Sequence, residues 1–320
     1  MNKTDLPYLS VLIPVYNEEE NLPDLGEEVS NVLKALDMTS EVILVDDGST
    51  DGSYAELERL VKKYPGFKAV RLGRNAGQTA ALSAAIKHAS GELLVCLDAD
   101  MQNDARDIAK LIDKLNEGYD VVSGWRKDRK DAFINRKLPS MIANSLISWI
   151  TGVHLHDYGC TLKLYRAKYL KPVRLYGEMH RFVPAFAGFL GARITEMPVN
   201  HRPRTKGTSK YGITRTFKVI LDLLTVKFMD AYLAKPIYLF GGGGVVMGSL
   251  GALMAAVTLY KKFYLGIFVK DQPLFQISIF FALVGFQLIL LGLLAEILVR
   301  VYFDIKDKPT YFVRETAGFD

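Results

Sequence analysis

The chain has 320 residues, with 40 Lys and Arg against 35 Asp and Glu, a formal charge of +5. Hydrophobic residues make up 49% and charged residues 23%, which excludes a disordered or highly charged chain. Two cysteines, Cys96 and Cys160, are too few for a disulfide framework and suit a reducing compartment.

The opening MNKTDLPYLS lacks an apolar stretch, so no cleaved signal peptide is expected. From there to residue 210, short β-rich runs alternate with helical patterns. Strands are predicted at 8–13, 41–45, 67–72, 92–97 and 119–123, and helices near 19–36, 52–63, 77–89 and 104–117. This alternation predicts an α/β domain with a mainly parallel sheet covered by helices. Ligands of such sheets bind beyond the carboxyl ends of the strands. Polar motifs gather at four of those ends: Pro14-Val15-Tyr16-Asn17-Glu18-Glu19, Asp46-Asp47-Gly48-Ser49-Thr50-Asp51, Arg74-Asn75-Ala76-Gly77-Gln78-Thr79 and Asp98-Ala99-Asp100-Met101-Gln102. One such motif is ordinary turn and cap chemistry. Four at successive strand ends indicate a binding site.

Asp98 and Asp100 are two residues apart, so an extended backbone turns both carboxylates to one side. Like charges this close repel unless a cation lies between them. A hard divalent ion held by one or two carboxylates plus phosphate oxygens answers that need. No Walker-type glycine loop or dinucleotide motif is present, which argues against an NTPase or a dehydrogenase. The five histidines show no zinc spacing.

Further on, 124–137 and 193–218 are rich in Lys and Arg, which suits phosphate groups or anionic lipid headgroups. Ile213, Phe217, Ile220, Leu221, Leu224 and Phe228 recur at helical spacing, either as an amphipathic helix on a membrane surface or as an ordinary domain helix. Residues 237–260 and 274–295 then carry no charged side chain. At ~1.5 Å per residue, each is long enough for a ~30 Å hydrocarbon core, so two membrane spans are predicted. Arg215, Lys218, Lys227, Lys235, Arg300, Lys306, Lys308 and Arg314 flank the spans outside; Lys261, Lys262 and Lys270 lie between them. That bias predicts cytoplasmic termini. Gly241 to Gly244 is expected to serve close helix packing. Tyr311, Phe312 and Val313 suggest a C-terminal strand.

PVYNEEENL, VDDGSTD, RNAGQTAAL, LDADMQ, DYGCTLKLYR and RPRTKGTSKYG, followed by two late spans, together resemble the glycosyltransferase family 2 polyprenyl-phosphate glycosyltransferases. The resemblance covers nearly the whole chain. It implies a GT-A (Rossmann-like) cytoplasmic catalytic domain over 1–210. A juxtamembrane amphipathic helix over 211–235, a two-helix transmembrane region over 236–300 and a cytoplasmic tail over 301–320 would follow. It implies inverting transfer of a hexose, glucose from UDP-glucose first, to polyprenyl phosphate at the inner membrane. Formamido-arabinose and mannose are alternative donor sugars. A processive polysaccharide synthase and a non-catalytic sugar-nucleotide sensor are the competing functions. Mg²⁺ or Mn²⁺ is the expected cofactor; the bilayer and further copies of the chain are expected partners, and nucleic acid is not.

By the same resemblance, Pro14, Tyr16 and Glu18 line the nucleotide pocket, with Asp46 or Asp47 at the base. Asp98, Ala99 (main chain), Asp100 and Gln102 match the metal and diphosphate segment, and Arg204 and Lys210 the donor phosphates. Arg126, Arg136 and Ser140 match acceptor-phosphate positions. Asp157 is the candidate base or acceptor-positioning group, with a turn before Gly159 as its alternative role. A phosphate monoester with a second pKa near ~6 is already mostly dianionic at neutral pH, so little proton removal is needed.

Overall fold

The computed structural model describes residues 6–127, 138–175, 177, 179–203, 236–304 and 313–318. The expected amphipathic helix over 211–235, and Arg136, Arg204 and Lys210, lie outside these residues. The chain divides into two units, residues 1–224 with 309–320, and residues 225–308.

The first unit is built on an eight-stranded sheet. Its strands are β1 (Leu9–Val15), β2 (Ser40–Asp46), β3 (Phe67–Leu72), β4 (Leu93–Cys96), β5 (Val121–Trp125), β6 (Lys163–Arg166), β7 (Ile194–Pro198) and β8 (Val313–Ala317), in the order β7-β5-β6-β4-β1-β2-β3-β8. The pairs β1–β2, β1–β4, β2–β3 and β5–β7 are parallel. β1 is buried along nearly its whole length, as a strand covered by helices on both faces must be. Helices α1 (Leu22–Ala35), α2 (Ser53–Lys63), α3 (Gln78–His88) and α4 (Asp107–Asn116) join the central strands. α1 buries Leu22, Leu25, Val29 and Val32, and α4 buries Ile108, Leu111 and Leu115; this spacing turns one helical face to the sheet.

All five predicted strands and four predicted helices are present with small shifts at their ends. The order of strands departs from simple βα succession. β6 inserts antiparallel between β4 and β5, so β5 does not touch β4. β6 is only four residues long and begins with Lys163, which is buried; no hydrophobic pattern announces it. The C-terminal strand pairs within the chain: β8 runs antiparallel to β3. There Arg71 lies 3.5 Å from Asp46 and 3.8 Å from Glu315, with its guanidinium over the Tyr54 ring. Between β5 and β7 the chain also forms α5 (Leu138–Thr151), α6 (Ala167–Leu170) and α7 (Val183–Phe189).

The second unit is an antiparallel hairpin of α8 (Ile237–Leu265) and α9 (Pro273–Asp304). Both helices are long and apolar enough to cross a membrane, and only 17% of the most apolar window of each is buried. A core helix of a soluble protein would be mostly covered; these leave Val245, Leu253, Phe263, Phe280 and Leu283 exposed. The helices meet through glycine. A Cβ on Gly244 would come within 2.6 Å of the Gly285 carbonyl, and one on Gly285 within 2.7 Å of the Gly244 carbonyl and the Gly248 nitrogen. Gly292 abuts Ile237, Phe240 and Gly241. Within the glycine run, Gly244 and Gly241 let two backbones approach, which lipid alone would not drive, while Gly242 and Gly243 make no close contact.

Gly285→Ala places a carbon against backbone that cannot yield, an overpacking cost of about 1–3 kcal/mol. It is expected to lower the melting temperature of the detergent-solubilised protein. Gly242→Ala, whose Cβ meets nothing within 4 Å, is expected to be neutral or slightly stabilising in the same measurement.

Candidate active site

The loops after β1 and β2 form one interlocked frame. Asn17, in the left-handed region at φ 53°, accepts the Thr50 N–H on its side-chain oxygen at 2.8 Å. Ser49 Oγ accepts the Asn17 N–H, and Ser53 Oγ accepts the Glu18 N–H. The Glu19 carboxylate accepts the Gly52 N–H at 2.9 Å. Pro14, Tyr16 and Glu18 are half-buried where β1 enters this frame.

Both aspartates expected at the base are turned inward. Asp46 is fully buried and accepts the Ser49 N–H at 3.0 Å. Asp47 accepts the Ala76 and Gly77 N–H groups at 2.8 and 2.9 Å, fastening the loop after β3 to the loop after β2. Burial, helped by the charge of Asp46, raises the Asp47 pKa despite those two donors. Gly48 follows them at φ 66°, and a Cβ there would fall 2.5 Å from the Arg74–Asn75 backbone, so only glycine fits.

At the end of β4, Asp98 accepts a hydrogen bond on each carboxylate oxygen: from Gln78 Nε2 at 2.9 Å and from Thr161 Oγ1 at 2.5 Å. Burial, with the like charge of Asp100 adding, pushes Asp98 up to about 6; the Thr161 hydrogen bond and the charges of Arg126 and Lys163 oppose this. Asp100 accepts the Gln102 N–H at 3.2 Å across a turn in which Met101 holds φ 59°. Gln102 works here through its main chain, since its carbonyl also accepts the Arg202 N–H at 2.8 Å. Ala99 is buried between the two carboxylates.

Asp157 faces Arg126 in a two-pronged pair, with Arg126 Nε to Oδ2 at 2.7 Å and a terminal guanidinium nitrogen to Oδ1 at 2.9 Å. The Gly159 N–H adds a bond to Oδ1 at 3.1 Å. Burial works to raise the Asp157 pKa, but the Arg126 fork outweighs it and holds the carboxyl below its ordinary value. The pair leaves other N–H donors of the guanidinium for an anion. Lys163 extends from β6 to the carbonyls of Tyr158 and Cys160, bracing the DYGCT turn from below.

Beside the fork, Trp125 stacks on His156 with ring centroids 4.5 Å apart.

Several contributing residues were not singled out from sequence. Gln78 and Thr161 lie in the RNAGQT and DYGCT motifs but showed no role until folding brought them to Asp98. His180 Nδ1 lies 2.8 Å from Thr79 Oγ1, bridging 101 positions of sequence, and burial pushes its pKa down to about 3, so it is neutral. Arg202 reaches Glu28 at 2.7 Å and Asp104 at 2.9 Å, which ties the segment before Arg204 to the loop after β4. Ser140 is placed only by its backbone, in the first turn of α5.

Residues 10–174 match the model of Glycosyl transferase family 2. The chain belongs to this family. A dodecaprenyl-phosphate galacturonate synthase of Rhizobium johnstonii is 44% identical over 311 residues, covering 96% of this chain and 92% of that protein. An undecaprenyl-phosphate 4-deoxy-4-formamido-L-arabinose transferase of Aeromonas hydrophila subsp. hydrophila is 37% identical, covering 98% and 95%. Among solved structures, glucosyl-3-phosphoglycerate synthase of Mycobacterium tuberculosis with Mn²⁺, UDP and its product superposes with a TM-score of 0.53 at 16% identity. That match covers 69% of this chain and 80% of the other. The shared fold is GT-A, and the protein is a glycosyltransferase of that fold with two candidate spans appended.

In this family 2 glycosyltransferase, Asp157→Asn removes the charge that answers a buried guanidinium. Transfer is expected to fall at least 100-fold while nucleotide affinity stays within about twofold. A depressed folded-state pKa contributes stability that is present above the unfolded value of about 3.9 and lost as pH falls through the folded value. The stability gap between wild type and Asp157→Asn should therefore be full at neutral pH and close in denaturant titrations below about pH 4.

Proposed function

We propose that the protein moves a sugar from a nucleoside diphosphate donor to a polyprenyl phosphate at the cytoplasmic membrane face, with inversion at the anomeric carbon. Galacturonate is the first reading for the sugar. Its single strongest support is the 44% identity, over 96% of the chain, to the dodecaprenyl-phosphate galacturonate synthase. A second reading, 4-deoxy-4-formamido-L-arabinose, is favoured by the 37% identical relative. Both stand ahead of the glucose expected from the sequence, because none of these relatives is named for it. UDP is the proposed nucleotide carrier, since the solved glucosyl-3-phosphoglycerate synthase with the same fold carries it.

The donor set suits a divalent cation. Asp98 and Asp100 put two carboxylates in electrostatic reach of each other, and neither oxygen of Asp98 is paired to a cationic side chain by hydrogen bond. Among the described residues there is no cluster of three or more His, Cys, Asp or Glu that could hold a metal. A divalent ion held by these two carboxylates would complete its shell with substrate phosphate and water. Asp98 and Asp100 would hold Mg²⁺ or Mn²⁺, which would neutralise the diphosphate as it leaves.

The remaining chemistry falls to positioned charge. Arg126, oriented by Asp157, offers its outer N–H donors to the acceptor phosphate. That phosphate is mostly dianionic at neutral pH and attacks without first losing a proton. Asp157 thus serves the reaction by aiming Arg126, and no general base is required of it. Arg204 and Lys210, following the fastened Arg202, would meet the donor phosphates. α8 and α9 would hold the enzyme in the bilayer with both termini on the cytoplasmic side, where the flanking Lys and Arg are concentrated.

Purified protein in nanodiscs, incubated with Mg²⁺, a polyprenyl phosphate and radiolabelled UDP-galacturonate, UDP-formamido-arabinose or UDP-glucose, tests this. Solvent-extractable label from UDP-galacturonate at tenfold or more the rate from UDP-glucose is expected. Label entering the lipid from glucose alone would overturn the donor assignment, and none from any donor would overturn the reaction.

A further inference from the structure

Carboxylates at this edge of the sheet are satisfied in different chemical ways. Asp47 is held by two main-chain N–H groups, and Asp157 by the Arg126 guanidinium. Asp98 alone among these is held on both oxygens by neutral side-chain donors, the Gln78 amide and the Thr161 hydroxyl. We propose that Gln78 and Thr161 are positioning residues that fix the Asp98 carboxylate for a divalent cation and thereby set the protein's affinity for it. This rests on the metal-assisted reading above.

The argument is electrostatic and geometric. An ionised carboxylate has about four lone-pair directions over its two oxygens. One hydrogen bond at each oxygen locks the plane of the group and leaves a lone pair on each side unused. A cationic partner would do the same but would also cancel the charge, as Arg126 does for Asp157. An amide and a hydroxyl compensate the cost of burial while leaving the negative charge available to an incoming ion.

The two donors come from separate, independently braced places. Gln78 opens α3, directly after Gly77 at φ 94°, and its neighbour Thr79 is fixed to His180 on a distant turn. Thr161 follows the DYGC turn, which Lys163 and the Arg126–Asp157 fork hold in place. The third and fifth of the quoted sequence motifs thus converge on one carboxylate. This gives RNAGQT and DYGCT a shared purpose that neither reveals alone.

The test is Mn²⁺ binding followed by loss of the free-ion electron paramagnetic resonance signal, using full-length protein in detergent with saturating UDP. Thr161→Val and Gln78→Met remove each donor at nearly constant volume; Thr161→Ser restores the hydroxyl. The Mn²⁺ dissociation constant is expected to rise about tenfold in each of the first two variants and to return to within about twofold of wild type in Thr161→Ser. UDP affinity without metal and the melting temperature should stay near wild type in Gln78→Met, which lies on a different element from Thr161 and keeps the test intact if Thr161→Val folds poorly. Unchanged Mn²⁺ affinity in Gln78→Met would overturn the proposal, as would a Thr161→Ser variant as weak as Thr161→Val. Failure of wild type itself to bind Mn²⁺ with UDP would instead overturn the metal reading on which it stands.

Discussion

Bringing several carboxylates out of water at one edge of a sheet is the constraint that shapes the first unit. Asp46, Asp47, Asp98, Asp100 and Asp157 all lie at or near the carboxyl ends of strands or in the turn before β6, and Asp46, Asp47 and Asp157 are buried. A buried charge is tolerable only when paired or hydrogen-bonded. The loops are organised around meeting that demand: Ser49 and Arg71 for Asp46, the Ala76–Gly77 backbone for Asp47, Arg126 and Gly159 for Asp157. Where the donor comes from another segment, as Ala76–Gly77 for Asp47 and Arg126 for Asp157, satisfying the charge also ties two segments together. Stability and site geometry have one cause here.

The C-terminal strand enters the same economy of charge. Glu315 on β8 and Asp46 on β2 approach Arg71 from opposite sides, and the Tyr54 ring covers the guanidinium. The chain thus leaves the sheet after β7, makes the apolar hairpin, and returns to pair with β3. In the hairpin the governing physics is different. With no hydrophobic drive between helices in lipid, backbone approach at Gly244, Gly251, Gly285 and Gly292 supplies the packing.

Much of this was legible in the sequence because its signals are local. Alternating strands and helices, the two uncharged spans and the polar motifs at strand ends each declare themselves within a short window. β6 did not, because four residues containing a buried lysine make no pattern; its partners β4 and β5 create it. The roles of Asp46 and Asp47 were also out of reach. That Asp46 accepts the Ser49 N–H, and Asp47 the Ala76 and Gly77 N–H groups, is not visible in the motif, because those pairings exist only in the folded loops.

By itself the sequence determined the family, the α/β class, the two candidate spans and the set of acidic and basic residues available for phosphate chemistry. The family follows from the resemblance that its motifs carry and the rest from periodicity and composition, and none of these needs knowledge of long-range contacts. Tertiary structure alone decided which donor answers which carboxylate, since Arg126 meets Asp157 across 31 positions and Thr161 meets Asp98 across 63. Electrostatic energy depends on distance in space and on burial, and neither is written in the order of residues along the chain.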